Sequence, residues 1–212
     1  NEFINKMNGL YDENVVMSLG GEENPYLITK TSDFSKIQQY DKKGIFFKLT
    51  NDLTFDSDFT PIAKFEGILD GDGHSINNIN IKNNVQFDSS NSTNMYLSGF
   101  ILKNYGIIKN LNINNMSITI NYNINKNDKV YFFCGFVARN DKNSNSNGKL
   151  ENICVDNANI DILFTHNTYC GFNPDMKMFA GVLCGTNSGN LNKITVKNSL
   201  IKGITDQRGN SG

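Results

Sequence analysis

The side chains best suited to chemistry in this sequence are Asp70-Gly71-Asp72-Gly73-His74. Two carboxylates one residue apart, followed by an imidazole, are raw material for glycoside hydrolysis. That reaction needs two carboxyl groups about 5–10 Å apart across the substrate, one of them held protonated. The same residues open like a calcium loop, but its twelfth position, where a bidentate glutamate belongs, is Ile81. A simpler role competes, because alternating aspartate and glycine build a tight turn. Asn104-Tyr105-Gly106 has the composition of such a turn further along the chain. The other histidine, His166, stands four residues before Cys170, a spacing that suits two metal ligands but comes with no evident third or fourth. The sequence contains no H-E-x-x-H, G-x-S-x-G, Walker loop or dinucleotide fingerprint. The expectation is a chain with no catalytic residue, no cofactor and no metal, whose Asp70 and Asp72 build a turn.

The elements that position these residues repeat along the chain. Ile79, Leu111, Ile153 and Ile194 serve as a common origin. Two residues on stand Ile81, Ile113, Val155 and Val196, and four residues on stand Asn83, Asn115, Asn157 and Asn198. Three residues before the origin are Ile76, Ile108, Leu150 and Leu191. Five before are Gly106, Gly148 and Gly189, with His74 in the first copy. Upstream, Gly67, Gly99, Gly135 and Gly181 each open an apolar run. Each unit reads as strand, Asn/Asp-Gly turn, strand, Asn turn, strand. The alternation in L-N-I-N and I-C-V-D predicts strands with one buried face.

Short strands of this kind need copies of themselves above and below, and parallel stacking supplies both hydrogen bonds and core. The predicted fold is therefore all-β, a right-handed single-stranded parallel β-helix with rungs about 4.8 Å apart. The fixed Asn position fits either a ladder of stacked amides or a set of solvated turns. Ser32-Asp33 followed by Phe34, Ile37 and Tyr40 predicts a short helical cap at the N-terminal end. Residues 1–55 are read as this cap and an entry strand, Ile45 to Phe55. Residues 56–212 are read as one continuous run of repeats, a piece of a longer protein.

Composition narrows the partners. A net charge of -1 leaves no basic excess to neutralise phosphates, so nucleic acid is not expected. No apolar run reaches the roughly 20 residues a membrane helix needs. Cys134 and Cys184 lie in apolar segments and read as buried thiols, which leaves Cys154 and Cys170 as the pair open to a disulfide. Asn91 and Asn115 head N-x-S/T sequons.

F-E-G-I-L-D-G-D-G-H-S-I, from Phe65, resembles the opening of GLUG-containing surface proteins. G-F-I-L-K-N, G-F-V-A-R-N and G-V-L-C-G-T-N-S-G resemble the GLUG motif itself, and P-Y-L-I-T-K-T-S-D-F-S-K-I is similar to the family's cap. Leu102 and Ala138 stand where the motif has its second glycine. The resemblance implies an extracellular, cell-surface, adhesin-like segment, or the non-catalytic exosite region of a secreted IgA-protease-type metallopeptidase. A carbohydrate-active β-helix enzyme using Asp70 and Asp72 is the rival from another class. The stretches Gln86–Met95, Asn121–Val130 and Phe164–Met178 read as excursions on one edge of the stack. The last is the expected contact for a host or matrix protein or glycan, with His166, Tyr169, Phe172 and Met178 as anchors. The alternative is a lid over the core.

Overall fold

The computed structural model describes residues 19–57, 59–83, 85–88, 94–124, 129–166 and 175–206. It is all-β apart from one short helix and a 3-10 turn. In chain order come β1 (Tyr26–Ile28), α1 (Phe34–Tyr40), β2 (Phe46–Leu49), β3 (Leu53–Thr54), β4 (Ile68–Asp70), β5 (Ser75–Asn77) and β6 (Asn80–Lys82). They continue as β7 (Gln86–Asp88), β8 (Asn94–Asn104), β9 (Ile107–Asn114), β10 (Ser117–Ile124), β11 (Lys129–Asn140) and β12 (Lys149–Asp156). Last are β13 (Asn159–His166), β14 (Asp175–Ala180), β15 (Cys184–Asn187), β16 (Asn190–Lys197) and β17 (Leu200–Asp206).

Three sheets hold these strands. Sheet one runs β1-β2-β4-β9-β12-β16 with β3 and β5 alongside; sheet two runs β17-β13-β10-β6; sheet three runs β14-β11-β8-β7 with β15 on β11. Every strand pairing is parallel except β7 with β8. From β9 onward the chain visits sheets one, two and three in the same order in each repeat, so each strand lies on its own earlier copy. Between the sheets sits one core, with Phe47, Phe65, Phe100, Phe132, Phe136 and Phe164 among its largest fully buried side chains. Phe100 stacks on Phe136 at 5.1 Å, and Tyr96 on Phe132 at 5.0 Å, so aromatic side chains repeat in register as the backbone does.

Leu111, Ile153 and Ile194 pair in one column, as the repeat predicts. The first copy is shifted. Ile76 lies opposite Ile113 and not Ile108, whose partner is Leu69. Ile79 joins Met116 and Ala158, one corner later: the amides of Ser117, Asn159 and Leu200 donate to Ile79, Met116 and Ala158 in turn. The cause is the turn between β4 and β5. Asp70 and Ser75 lie opposite Lys109 and Asn112, so the turn carries two more residues than the later copies. Gly71 packs where a side chain would meet Leu111 Cδ1 at 2.9 Å. The I-x-x-I-x-I spacing thus matches two different registers, and only packing selects one.

The glycines divide into two columns. Gly67, Gly106, Gly148 and Gly189 share a corner of sheet one, where Ile107, Lys149 and Asn190 donate to the glycine below. A Cβ on Gly106 would run into the Gly67 carbonyl, and one on Gly189 into that of Gly148. Gly99, Gly135 and Gly181 form the second column, at a bend within sheet three. Gly67 therefore belongs to the first column, not with Gly99, and His74 does not fill a glycine's place.

The cap forms as its residues predict. Phe34 and Ile37 are buried, and Phe34 meets Phe100 edge-on at 5.1 Å. Asp33 ends the 3-10 turn Thr31–Asp33 that leads into α1. Its Oδ2 accepts Thr29 N–H (2.9 Å), Thr29 Oγ1–H (2.8 Å) and Lys30 N–H (3.1 Å), and Lys36 Nζ lies 3.2 Å from Oδ1. Burial acts to raise its pKa, but these hydrogen bonds outweigh it and bring the carboxyl to about 2. A depressed folded pKa stabilises fully above the unfolded value of about 3.9, and that stabilisation is lost as pH falls toward 2. Asp33→Asn is expected to cost about 2 kcal/mol at neutral pH. The gap between native and variant melting temperatures should close between pH 4 and pH 2. A gap constant over that range would show that the charge does not hold the cap.

Candidate functional site

The Asp70–His74 turn lies on the outside of sheet one. Asp70 Oδ1 accepts the Asp72 N–H at 2.9 Å and Asn110 Nδ2 at 3.0 Å, while Lys109 Nζ sits 3.2 Å from Oδ2. Partial burial pulls its pKa up, but these three partners pull harder and leave it below the ordinary carboxylate value. A carboxyl held ionised in this way is a poor general acid. Asp72, at φ 51°, faces solvent and pairs with Lys48 Nζ at 2.9 Å. His74 Nδ1 lies 3.4 Å from Asp52 Oδ1, which also accepts the Ser75 N–H. The structure gathers the sequence-selected residues in one place, but turns each carboxylate toward a neighbouring repeat.

The asparagines do the same with amides. Asn157 Nδ2 donates to Asn115 Oδ1 at 2.7 Å, and Asn115 Nδ2 to Asn78 Oδ1 at 3.3 Å. The ladder exists, with two changes of membership. Asn78 replaces Asn83, following the shifted first copy, and Asn198 donates to Asp156 Oδ1 at 2.9 Å. Asn78, Asn115, Asn157 and Asn198 all have φ between 46° and 60°, a left-handed conformation that asparagine tolerates. A second column runs from Asp70 through Asn110 to Asn152. A third is enclosed over its first two members: Asn104 Nδ2 donates to Asn140 Oδ1 at 2.7 Å, and Asn140 Nδ2 to Oδ1 of the exposed Asn187 at 2.6 Å, with Asn104 and Asn140 both 0% exposed.

The outer side of sheet three carries a feature that the sequence reading missed. β8 and β11 bend at Gly99 and Gly135, and outside the bend Leu97, Leu102, Phe133 and Ala138 form a second apolar cluster, with Met95 and Tyr131 packed on it. Phe133 stacks on Phe179 at 5.0 Å with the rings 8° apart. Arg139 Cζ lies 5.3 Å from the Phe133 ring centre and Lys177 Nζ 5.3 Å from that of Tyr131, both within cation–π range. Arg139 also bonds Asp141 Oδ1 at 3.1 Å. Moving toward the last repeat, Leu97 gives way to the larger Phe133 and Phe179 along one arm, while Leu102, Ala138 and Gly185 shrink along the other. Opposed size changes keep the bend filled. Phe179 remains 37% exposed on this outer side, while Met178, in register with Phe132, lies on the core side.

The Phe164–Met178 stretch is not one loop. Phe164 belongs to β13, is 1% exposed and meets Phe132 edge-on at 4.9 Å, so it anchors the core. Met178 lies in β14. Strands replace much of the other two excursions as well, since β10 continues to Ile124 and β8 begins at Asn94. Neighbouring strands supply these polar residues with ladder partners, which composition alone does not reveal. Tyr169, Cys170 and Phe172 lie outside the described residues, as does Asn91. His166 ends β13 opposite Ile124.

Cys134, Cys154 and Cys184 carry free thiols; Cys170, the candidate partner of Cys154, lies outside the described residues. Burial pushes the Cys134 thiol up to about 12 and that of Cys184 to about 11, so both act as small apolar groups. The Asn115 amide is engaged in the ladder, and a glycan there would break it. Among the described residues no group of three His, Cys, Asp or Glu is placed to hold a metal, and no helix is long and apolar enough to cross a membrane. Comparison with family models, curated proteins and solved structures gave no match to this chain.

Proposed function

We propose that the chain is a right-handed parallel β-helix of the GLUG type. In this reading it is a non-catalytic segment of an extracellular, cell-surface protein that presents one side to a host or matrix protein or glycan. The observation that carries the reading is the aromatic shelf outside sheet three. Tyr131, Phe133 and Phe179 lie side by side with Lys177 and Arg139, and Phe179 faces solvent. Aromatic side chains edged by cations suit both peptide and sugar partners. By contrast, Asp70 and Asp72 are taken up by Lys109, Asn110 and Lys48.

The test compares the native chain with two variants, Phe179→Ser and a Gly-Ser replacement of residues 167–174. Thermal melting and binding to matrix proteins and a glycan array are measured for each. Binding should fall at least about tenfold with melting little changed, as expected for an aromatic anchor at an interface. Undiminished binding in both variants would remove the shelf from the proposal. Cleavage of an acidic polysaccharide by the native chain, lost in Asp70→Asn, would favour the carbohydrate-active reading instead.

A further inference from the structure

The outer face of sheet two changes character along the stack. Ile118, Ile120, Ile160 and Ile162 point into the core, so their neighbours along β10 and β13 point out. One outward row holds Ser117, Asn159 and Leu200, and another Asn121, Leu163 and Ile204. Polar in β10, both rows are apolar by β17, with Leu163 half-buried and Leu200 and Ile204 exposed. Between them runs the row Thr119, Asp161 and Lys202. A shallow depression of about 180 Å³ opens there, lined by Asn121, Asp161, Ile162, Leu163, Lys202 and Ile204. A strand added beyond β17 would pair with its edge and leave this face uncovered.

Charge selects the occupant. Asp161 and Lys202 are in register but do not bond each other. Asp161 Oδ2 accepts Asn159 Nδ2 at 3.0 Å, and Lys202 makes no ion pair among the described residues. A two-fold axis along the strands, midway between β13 and β17, turns one copy face down on another and lays each β13 on the partner's β17. Asp161 then meets the partner's Lys202, Leu163 the partner's Ile204 and Asn159 the partner's Leu200, each contact occurring twice. An axis along the stack, centred on the charged row, instead sets Asp161 against the partner's Asp161 and Lys202 against the partner's Lys202. That arrangement carries a Coulombic cost, and the first does not.

We propose that the outer face of sheet two is a docking surface for a second copy of this chain, related by the two-fold axis along the strands. Leu163, Leu200 and Ile204 supply the apolar contact, and the depression beside Leu163 gives the partner's Ile204 room. Two Asp161–Lys202 contacts between the copies fix the register. The aromatic shelf lies on sheet three and takes no part, so pairing and adhesion can fail separately.

Analytical ultracentrifugation of the whole chain, from micromolar to millimolar concentration, should show a monomer–dimer equilibrium. Asp161→Lys sets lysine against lysine and Lys202→Asp sets aspartate against aspartate, so each should weaken pairing at least about tenfold, less at high salt. An equimolar mixture of the two variants should recover it, because every contact in the mixed pair again joins opposite charges. Ile204→Ser should weaken pairing with its circular dichroism unchanged, and decides the matter if a charge variant fails to fold. A native chain that stays monomeric overturns the proposal and leaves the face to a different protein. Pairing unchanged in Ile204→Ser, or a mixture that pairs no better than its components, overturns it as well by placing the contact elsewhere.

Discussion

Asn140→Ala is expected to cost about 3–4 kcal/mol, several times the loss at Asn115→Ala. Asn140 accepts from Asn104 Nδ2 and donates to Asn187 Oδ1 and, at 3.2 Å, to the Gly148 carbonyl. Asn140 and Asn104 are both 0% exposed, so water cannot replace the bond between them without opening the corner. Alanine leaves the Asn104 amide hydrogen without its acceptor, takes one donor from the Gly148 carbonyl and from Asn187, and adds a cavity. Asn140→Asp should be worse, because one carboxylate oxygen would face the oxygens of Asn187 and Gly148. In the outer ladder, Asn115 bonds Asn78 and Asn157 in contact with solvent, and its loss should cost about 1 kcal/mol or less. Urea unfolding of the three variants checks the order. Equal costs at Asn140 and Asn115 would mean that the enclosed ladder is hydrated in solution.

The contrast between these ladders shows what the sequence makes legible. The outer one was visible because Asn115 and Asn157 keep a fixed distance from period-two strands on either side. The enclosed one left a fainter trace, Asn104-x-Gly106 and Asn187-x-Gly189, with a polar insert before Gly148 breaking the third copy. Period-two reasoning assigns faces along a straight strand. It fails where the chain turns a corner and consecutive residues such as Phe100 and Ile101 both point inward. The shelf was hidden for a related reason. In Tyr131-Phe132-Phe133 aromatic residues occupy both faces, so alternation of residue type is lost although alternation of direction persists. The first copy misled because Ile76, Ile79 and Ile81 repeat the spacing of Ile108, Leu111 and Ile113, while the glycines of the Asp70–His74 turn shift the true register.

Ile153→Asp should abolish the folding transition, whereas Ile194→Asp should only weaken it. Ile153 is 1% exposed and sits between Leu111 below and Ile194 above. No cation or amide replaces the apolar side chains of that column, so an aspartate there must stay charged without a partner or take up a proton. Either outcome costs several kcal/mol, a large part of the 5–15 kcal/mol that holds a typical domain. Ile194 belongs to the same column and has the same chemistry, but it is only partly buried in the last repeat. An aspartate there can turn to water, and about 1–2 kcal/mol is expected. The comparison tests stacking directly, because composition and local sequence barely distinguish the two sites. Circular dichroism should show a cooperative melt retained in Ile194→Asp and lost in Ile153→Asp. If both variants lose it, the last repeat is covered in solution by something that buries Ile194. If both keep it, Leu111, Ile153 and Ile194 do not form a continuous core, and the stacked-repeat architecture fails with them.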